Sequence, residues 1–225
     1  MQAKLNQDLG AVLRRVGVVP VLTIDKLDHA VPLARALVAG GLNVLEITLR
    51  TGVALAAIRE MVRNVPGSII GAGTVLTPEQ GAAAMGHGAR FLVSPGMTPR
   101  LIDAANAWPI PFLPGIATAS EAMSLADMGY RVLKFFPAEP AGGTAALKAI
   151  GAPLADLLFC PTGGISAANA PTYVGLPNVA AVGGSWVAPA KLVAAGDWSR
   201  PWQRKQRRCA HDVSSASPLR LLDAD

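Results

Sequence analysis

NVLEITLRTGVALAAIREMVRNVPGSIIGAGTVL, residues 43–76, contains one full period of the architecture. NVLEITLR (43–50) is a β-branched, apolar run and reads as a strand. VALAAIREMVRN (53–64) repeats apolar residues at three-and-four spacing and reads as a helix, and SIIGAGTVL (68–76) reads as the next strand. Strand, helix and strand in this order make a βαβ unit, because two parallel strands need a crossover of a dozen or more residues between them.

The unit recurs outward in both directions. Further strand-like runs are VVPVLTI (18–24), RFLVSP (90–95), PFLPGIA (111–117), RVLKFFP (131–137), DLLFCPTGGIS (156–166) and NVAAVGGSWV (178–187). Their starts lie roughly 20 to 26 residues apart, room for one strand, one helix and two loops. Between them LDHAVPLARALVAGG (27–41), TPEQGAAAMGHGA (77–89), TPRLIDAANA (98–107) and TASEAMSLADMGY (118–130) carry helical periodicity. Thr77-Pro78-Glu79, and Thr118 with Glu121, have helix-cap chemistry, and the Gly-Gly and Met-Gly endings are helix stops. No G-x-G-x-x-G follows the first strand, which argues against an open, doubly wound sheet. Eight units predict an α/β fold closed into a (β/α)8 TIM barrel. A single domain is expected over residues 1–199, followed by a basic, polar tail at 200–225.

Composition excludes several function classes. Of 225 residues 51% are hydrophobic and 16% charged, enough for a sizeable core and too apolar for a disordered chain. No apolar run approaches the roughly twenty residues of a membrane span, and the N-terminus lacks the order of a signal peptide. We expect a cytoplasmic protein. Cys160 and Cys209 are too few for a disulfide framework and have no partner at metal-ligand spacing, and His29, His87 and His211 are scattered singly. The net charge of +5 arises largely after residue 197, where six basic residues meet three acidic ones. The body is nearly neutral, so no nucleic-acid or membrane partner is expected.

Catalytic side chains of a (β/α)8 barrel project from the C-terminal ends of its strands. Away from their first residues, the predicted strands hold only Glu46, Arg50 and Lys134 as charged groups. Even spacing puts Glu46, Thr48 and Arg50 on one strand face, aiming a proton carrier and an anion clamp into one pocket. A structural ion pair is the plainer alternative. Lys134 stands in an apolar run, where burial and a nearby Arg50 charge are expected to depress its pKa and leave a nucleophilic amine. The alternative is a lysine that snorkels to water. PTGGIS (161–166) and GGSW (183–186) end the seventh and eighth strands, the recurrent phosphate site of such barrels.

VVPVL, EITLRT, GAGTVL, SPGMTP, PGIATASE, LKFFPAE, FCPTGG and GGSW follow the order and spacing of another group of proteins. From about residue 16 to 198 the chain resembles the 2-keto-3-deoxy-6-phosphogluconate aldolases, class I lyases that also act on 4-hydroxy-2-oxoglutarate. The resemblance implies Lys134 as the Schiff-base lysine, Glu46 as the general acid/base and Arg50 as the partner of the substrate carboxylate. It further implies that Thr74 holds the keto acid, that Pro95 and Phe136 wall the pocket, and that Thr162, Gly163, Gly164, Gly184 and Ser185 bind the distal phosphate. The resemblance implies no metal or cofactor, a homotrimeric assembly and a place in the Entner–Doudoroff pathway. A sister family acting on the galactonate-derived acid differs at ITLRT and lacks FCPTGG. That family, an isomerase and a non-catalytic phosphosugar-binding barrel are the competing readings.

After AAGDWSR the resemblance stops. The family continues into an alanine-rich helix over the eighth strand, whereas PWQRKQRRCAHDVSSASPLRLLDAD has no amphipathic stripe. A divergent helix, a disordered tail and a reading-frame change near Arg200 are the candidate explanations, the last two together being preferred. Lower stability with no loss of catalytic residues is expected.

Overall fold

Every predicted strand run forms strand, and all eight stop short of their predicted C-terminal ends. The structure, a computed structural model, describes residues 1–198. Its strands are β1 (Val18–Leu22), β2 (Val44–Thr48), β3 (Ile69–Gly73), β4 (Leu92–Val93), β5 (Phe112–Leu113), β6 (Gly115–Ile116), β7 (Val132–Phe135), β8 (Leu158–Pro161) and β9 (Val182–Gly184). β5 and β6 are halves of one predicted run, parted at Pro114, which has no N–H to give to a ladder.

All pairings are parallel, in the orders β5-β4-β3-β2-β1-β9 and β6-β7-β8. Pro114 joins the two sheets at one seam. At the other, parallel bridges pair Phe159 with Val179 and Thr162 with Gly183. The ring is therefore closed, the barrel read from the βα period.

The helices are α1 (Gln2–Val16), α2 (Ala30–Ala39), α3 (Ala54–Asn64), α4 (Pro78–Gly86), α5 (Pro99–Ala105), α6 (Ala119–Asp127), α7 (Gly143–Gly151), α8 (Ala170–Val174) and α9 (Ala190–Ala195). Thr77, Thr98 and Thr118 cap α4, α5 and α6 from extended backbone, each accepting a main-chain N–H of the first turn. Thr118 and Glu121 complete a capping box.

Strand alternation sorts side chains into two layers. Leu45, Ile47, Leu133 and Phe135 pack in the shell beneath the helices, while Val44, Val93, Leu113, Val132 and Cys160 fill the barrel itself. α1, which the strand rhythm does not announce, contributes Leu9, Val12 and Leu13 to that inner cluster. Asn6 donates to the carbonyls of Phe112 and Val132 and accepts from the N–H groups of Arg131 and Val132. A helix thus plugs the barrel at the end opposite the C-terminal strand ends. Among the described residues no helix is long and apolar enough to cross a membrane. The predicted tail at 200–225, with Cys209 and His211, lies outside the described residues.

Candidate active site

β2 and β7 stand opposite each other in the ring, four strands apart by either route. Val44 and Val132 lie at their inner N-terminal ends, and two residues further along come Glu46 and Lys134. The alternation that buries the valines aims these two side chains at the barrel axis, where Lys134 Nζ lies 3.3 Å from Glu46 Oε1. Their side chains are only 6% and 4% exposed. Glycine makes the room, since a Cβ on Gly73 of the neighbouring strand would fall within the Glu46 carboxylate. Lys134 Nζ also lies 5.3 Å from the centre of the Phe136 ring, a cation–π contact at the mouth.

The expected grouping of Glu46, Thr48 and Arg50 on one strand face is corrected. β2 ends at Thr48, and Leu49 and Arg50 form a turn, so alternation no longer governs where Arg50 points. Arg50 is exposed, and the charged partner of Lys134 is Glu46. Thr48 keeps its inward place beneath the mouth, its hydroxyl 3.0 Å from that of Thr23 and 3.1 Å from the Leu22 carbonyl.

The remaining predicted residues lie on the loops that follow the strands. Thr74, half-buried just past β3, has φ +58°, a left-handed conformation costing a non-glycine on the order of 1 kcal/mol. Pro95 follows β4, and Phe136 follows β7 with a cis bond to Pro137; both are half-buried. Thr162, Gly163 and Gly164 follow β8, and the bridge between Thr162 and Gly183 brings that turn beside Gly184 and Ser185. Among the described residues no partner accepts the N–H of Gly163 or Gly164. A cleft of about 510 Å³ opens nearby, lined by Thr23, Lys26, His29, Ser185 and Trp186 among others; Lys134 does not line it.

The residue reading missed one member of the interior. Cys160 is buried in register beside Lys134 on β8. Burial pushes its thiol up to about 12, with Lys134 pulling the other way and Glu46 adding to the rise, so it is a neutral neighbour. Alternation along FCPT carries that signal, since Cys160 is flanked by outward Phe159. Among the described residues no three His, Cys, Asp or Glu side chains gather as a metal site.

A buried amine within reach of a carboxylate can lose a proton, attack a carbonyl and keep a proton carrier at hand. The family profile described as KDPG and KHG aldolase matches residues 9–203. A 2-dehydro-3-deoxy-phosphogluconate aldolase of Pseudoalteromonas atlantica is 55% identical over 183 residues, 81% of this chain and 85% of the relative. A KHG/KDPG aldolase of Escherichia coli K12 is 52% identical over 190 residues, 84% of this chain and 89% of that one. Among solved structures, a KDPG aldolase from Legionella pneumophila superposes with a TM-score of 0.83 at 46% identity. The match covers 89% of this chain and 96% of that one, and the structure holds pyruvate as a covalent carbinolamine intermediate.

Proposed function

The chain belongs to the KDPG and KHG aldolase family, and from that premise we propose that it is a class I lyase with Lys134 as the imine-forming residue. The substrate is 2-dehydro-3-deoxy-6-phosphogluconate, with 4-hydroxy-2-oxoglutarate as a second one. What supports the assignment is the buried 3.3 Å contact between Lys134 and Glu46 at the barrel axis.

Lys134 Nζ, once neutral, adds to the C2 ketone, and the carbinolamine loses water to give a protonated imine. Glu46, through a water molecule, takes the proton of the C4 hydroxyl. The C3–C4 bond breaks, its electron pair passes into the imine as an enamine, and glyceraldehyde 3-phosphate leaves. Protonation at C3 and hydrolysis of the imine release pyruvate and restore the amine. With 4-hydroxy-2-oxoglutarate the same sequence releases glyoxylate. Arg50 at the mouth pairs with the substrate carboxylate, Thr74 holds the keto acid, and Pro95 and Phe136 wall its hydrocarbon part. Thr162, Gly163, Gly164, Gly184 and Ser185 receive the phosphate through hydroxyl and backbone donors. The electrophile is the protonated imine, so the scheme assigns neither metal nor cofactor a part.

Residues 1–199 form the catalytic unit in this reading, because every assigned group precedes residue 199. The protein is further read as a cytoplasmic homotrimer, an assembly that light scattering would report as three times the chain mass. Borohydride reduction in the presence of pyruvate tests the central assignment. A stable adduct on the peptide containing Lys134, absent from Lys134→Ala, is expected; full cleavage activity in Lys134→Ala would reject it.

A further inference from the structure

Glu139 closes the LKFFPAE segment yet has no part in the scheme above. It lies in the loop between β7 and α7, three residues beyond Phe136. Two main-chain bonds lay this loop against the turn after β8: Ala138 N–H to the Thr162 carbonyl at 2.8 Å and Glu139 N–H to the Gly163 carbonyl at 3.0 Å. The fit leaves no space for side chains on the turn. A Cβ on Gly164 would lie 2.6 Å from Glu139 Cβ and Cγ, and one on Gly163 would lie 3.2 Å from Pro137 Cα and 3.3 Å from the Phe136 ring. Both glycines also have left-handed backbone, φ +100° and +79°.

The Glu139 carboxylate accepts the hydroxyl of Tyr173, a fully buried residue of α8. α8 belongs to the same connection as the glycine turn, and Asn169 ties the two together. Its side chain donates to the Gly164 carbonyl at 3.2 Å and accepts the Ser166 N–H at 2.7 Å. The turn is therefore held from both sides, by the loop beneath it and by the helix after it, and the Glu139–Tyr173 bond links those two supports. Burial raises the phenol's pKa, and the Glu139 carboxylate raises it further, so the hydroxyl remains a donor at neutral pH.

A carboxylate near an anion site repels the anion, so Glu139 can favour binding there only through what it holds in place. We propose that Glu139 and Tyr173 are a positioning pair: their hydrogen bond fixes the Gly163–Gly164 turn, so that the enzyme favours substrates with a terminal phosphate. The inference rests on the function proposed above and adds a determinant of substrate selectivity to it.

The test compares the two keto acids in steady state for Tyr173→Phe, Glu139→Ala, Glu139→Gln and the double variant Tyr173→Phe/Glu139→Ala. Tyr173→Phe and Glu139→Ala should each raise KM for the phosphorylated acid about tenfold, as expected for losing one charge-assisted hydrogen bond. Their kcat should stay within about twofold, as should both constants for 4-hydroxy-2-oxoglutarate. The double variant should be no worse than the single ones, since the two residues act through one contact. Glu139→Gln keeps an acceptor and should restore KM to within about threefold of wild type. An unchanged KM, or an equal loss for both substrates, overturns the pair as a selectivity device. If Glu139→Ala does not fold, Tyr173→Phe, which removes one oxygen atom, decides alone. Wild-type protein that gains no pyruvate adduct on Lys134 would instead refute the catalytic reading, an outcome separate from any change in KM.

Discussion

Lys134 and Glu46 are each costly to bury alone, and each is tolerable because the other is 3.3 Å away. Glu46→Gln separates the carboxylate's proton-carrying role from its part in holding the lysine. The amide is nearly isosteric and still offers an oxygen to Nζ, but it cannot take a proton. Cleavage read by a lactate-dehydrogenase-coupled assay should fall about 10²- to 10⁴-fold, while borohydride still traps pyruvate on Lys134. Loss of the trapped adduct together with cleavage would make Glu46 a holder of the lysine and not its proton carrier. The pair was legible in the sequence because both residues interrupt apolar runs. Arg50 was misplaced because alternation holds only as far as the strand does, and β2 ends two residues earlier.

At the scale of elements, helix caps were readable and the N-terminal helix was not. Thr118 and Glu121 form the predicted capping box, so Thr118→Ala should lower stability by about 1 kcal/mol in urea unfolding. α1 is not legible in the sequence because its buried face includes Gln2 and Asn6, polar residues where an amphipathic helix is expected to be apolar. Only the barrel explains them, since they meet main-chain groups more than 100 residues away. Asn6→Ala would leave the Phe112 and Val132 carbonyls and the Arg131 and Val132 N–H groups without their side-chain partner. A loss of about 3 kcal/mol or more is expected, because each orphaned buried group costs on the order of 1–3 kcal/mol. A loss below about 1 kcal/mol would mean that water replaces the side chain and that α1 is a dispensable plug.

For the whole molecule, the βα period announced the barrel, but neither seam of the ring could be read locally. Pro114 lies within PFLPGIA, which reads as one strand, and the bridge from Thr162 to Gly183 depends on contacts that no short window contains. Burial also decides how stability responds to pH, because ring closure dries the barrel around Cys160 and the helical shell dries Tyr130, and both groups are weak acids. Cys160 inside the barrel is raised from 9.0 to about 12, and Tyr130, whose buried hydroxyl has no hydrogen-bond partner among the described residues, from 10.0 to about 12. Both folded values exceed the unfolded ones, so the unfolded chain releases these protons first as pH rises. The stabilising effect is fully present below pH 9 and is lost between pH 9 and 12, Cys160 acting first and Tyr130 from about pH 10. Over that window each group steepens the decline by up to about 1.4 kcal/mol per pH unit. Urea unfolding of wild type and Cys160→Ala at pH 8 and pH 10 isolates the thiol. The variant carries the same packing defect at both pH values, so the stability gap between the two proteins should narrow by about 1.4 kcal/mol at pH 10. Parallel curves would mean that the Cys160 thiol ionises as readily in the folded barrel as in the unfolded chain, and that closure does not dry the interior beside Lys134.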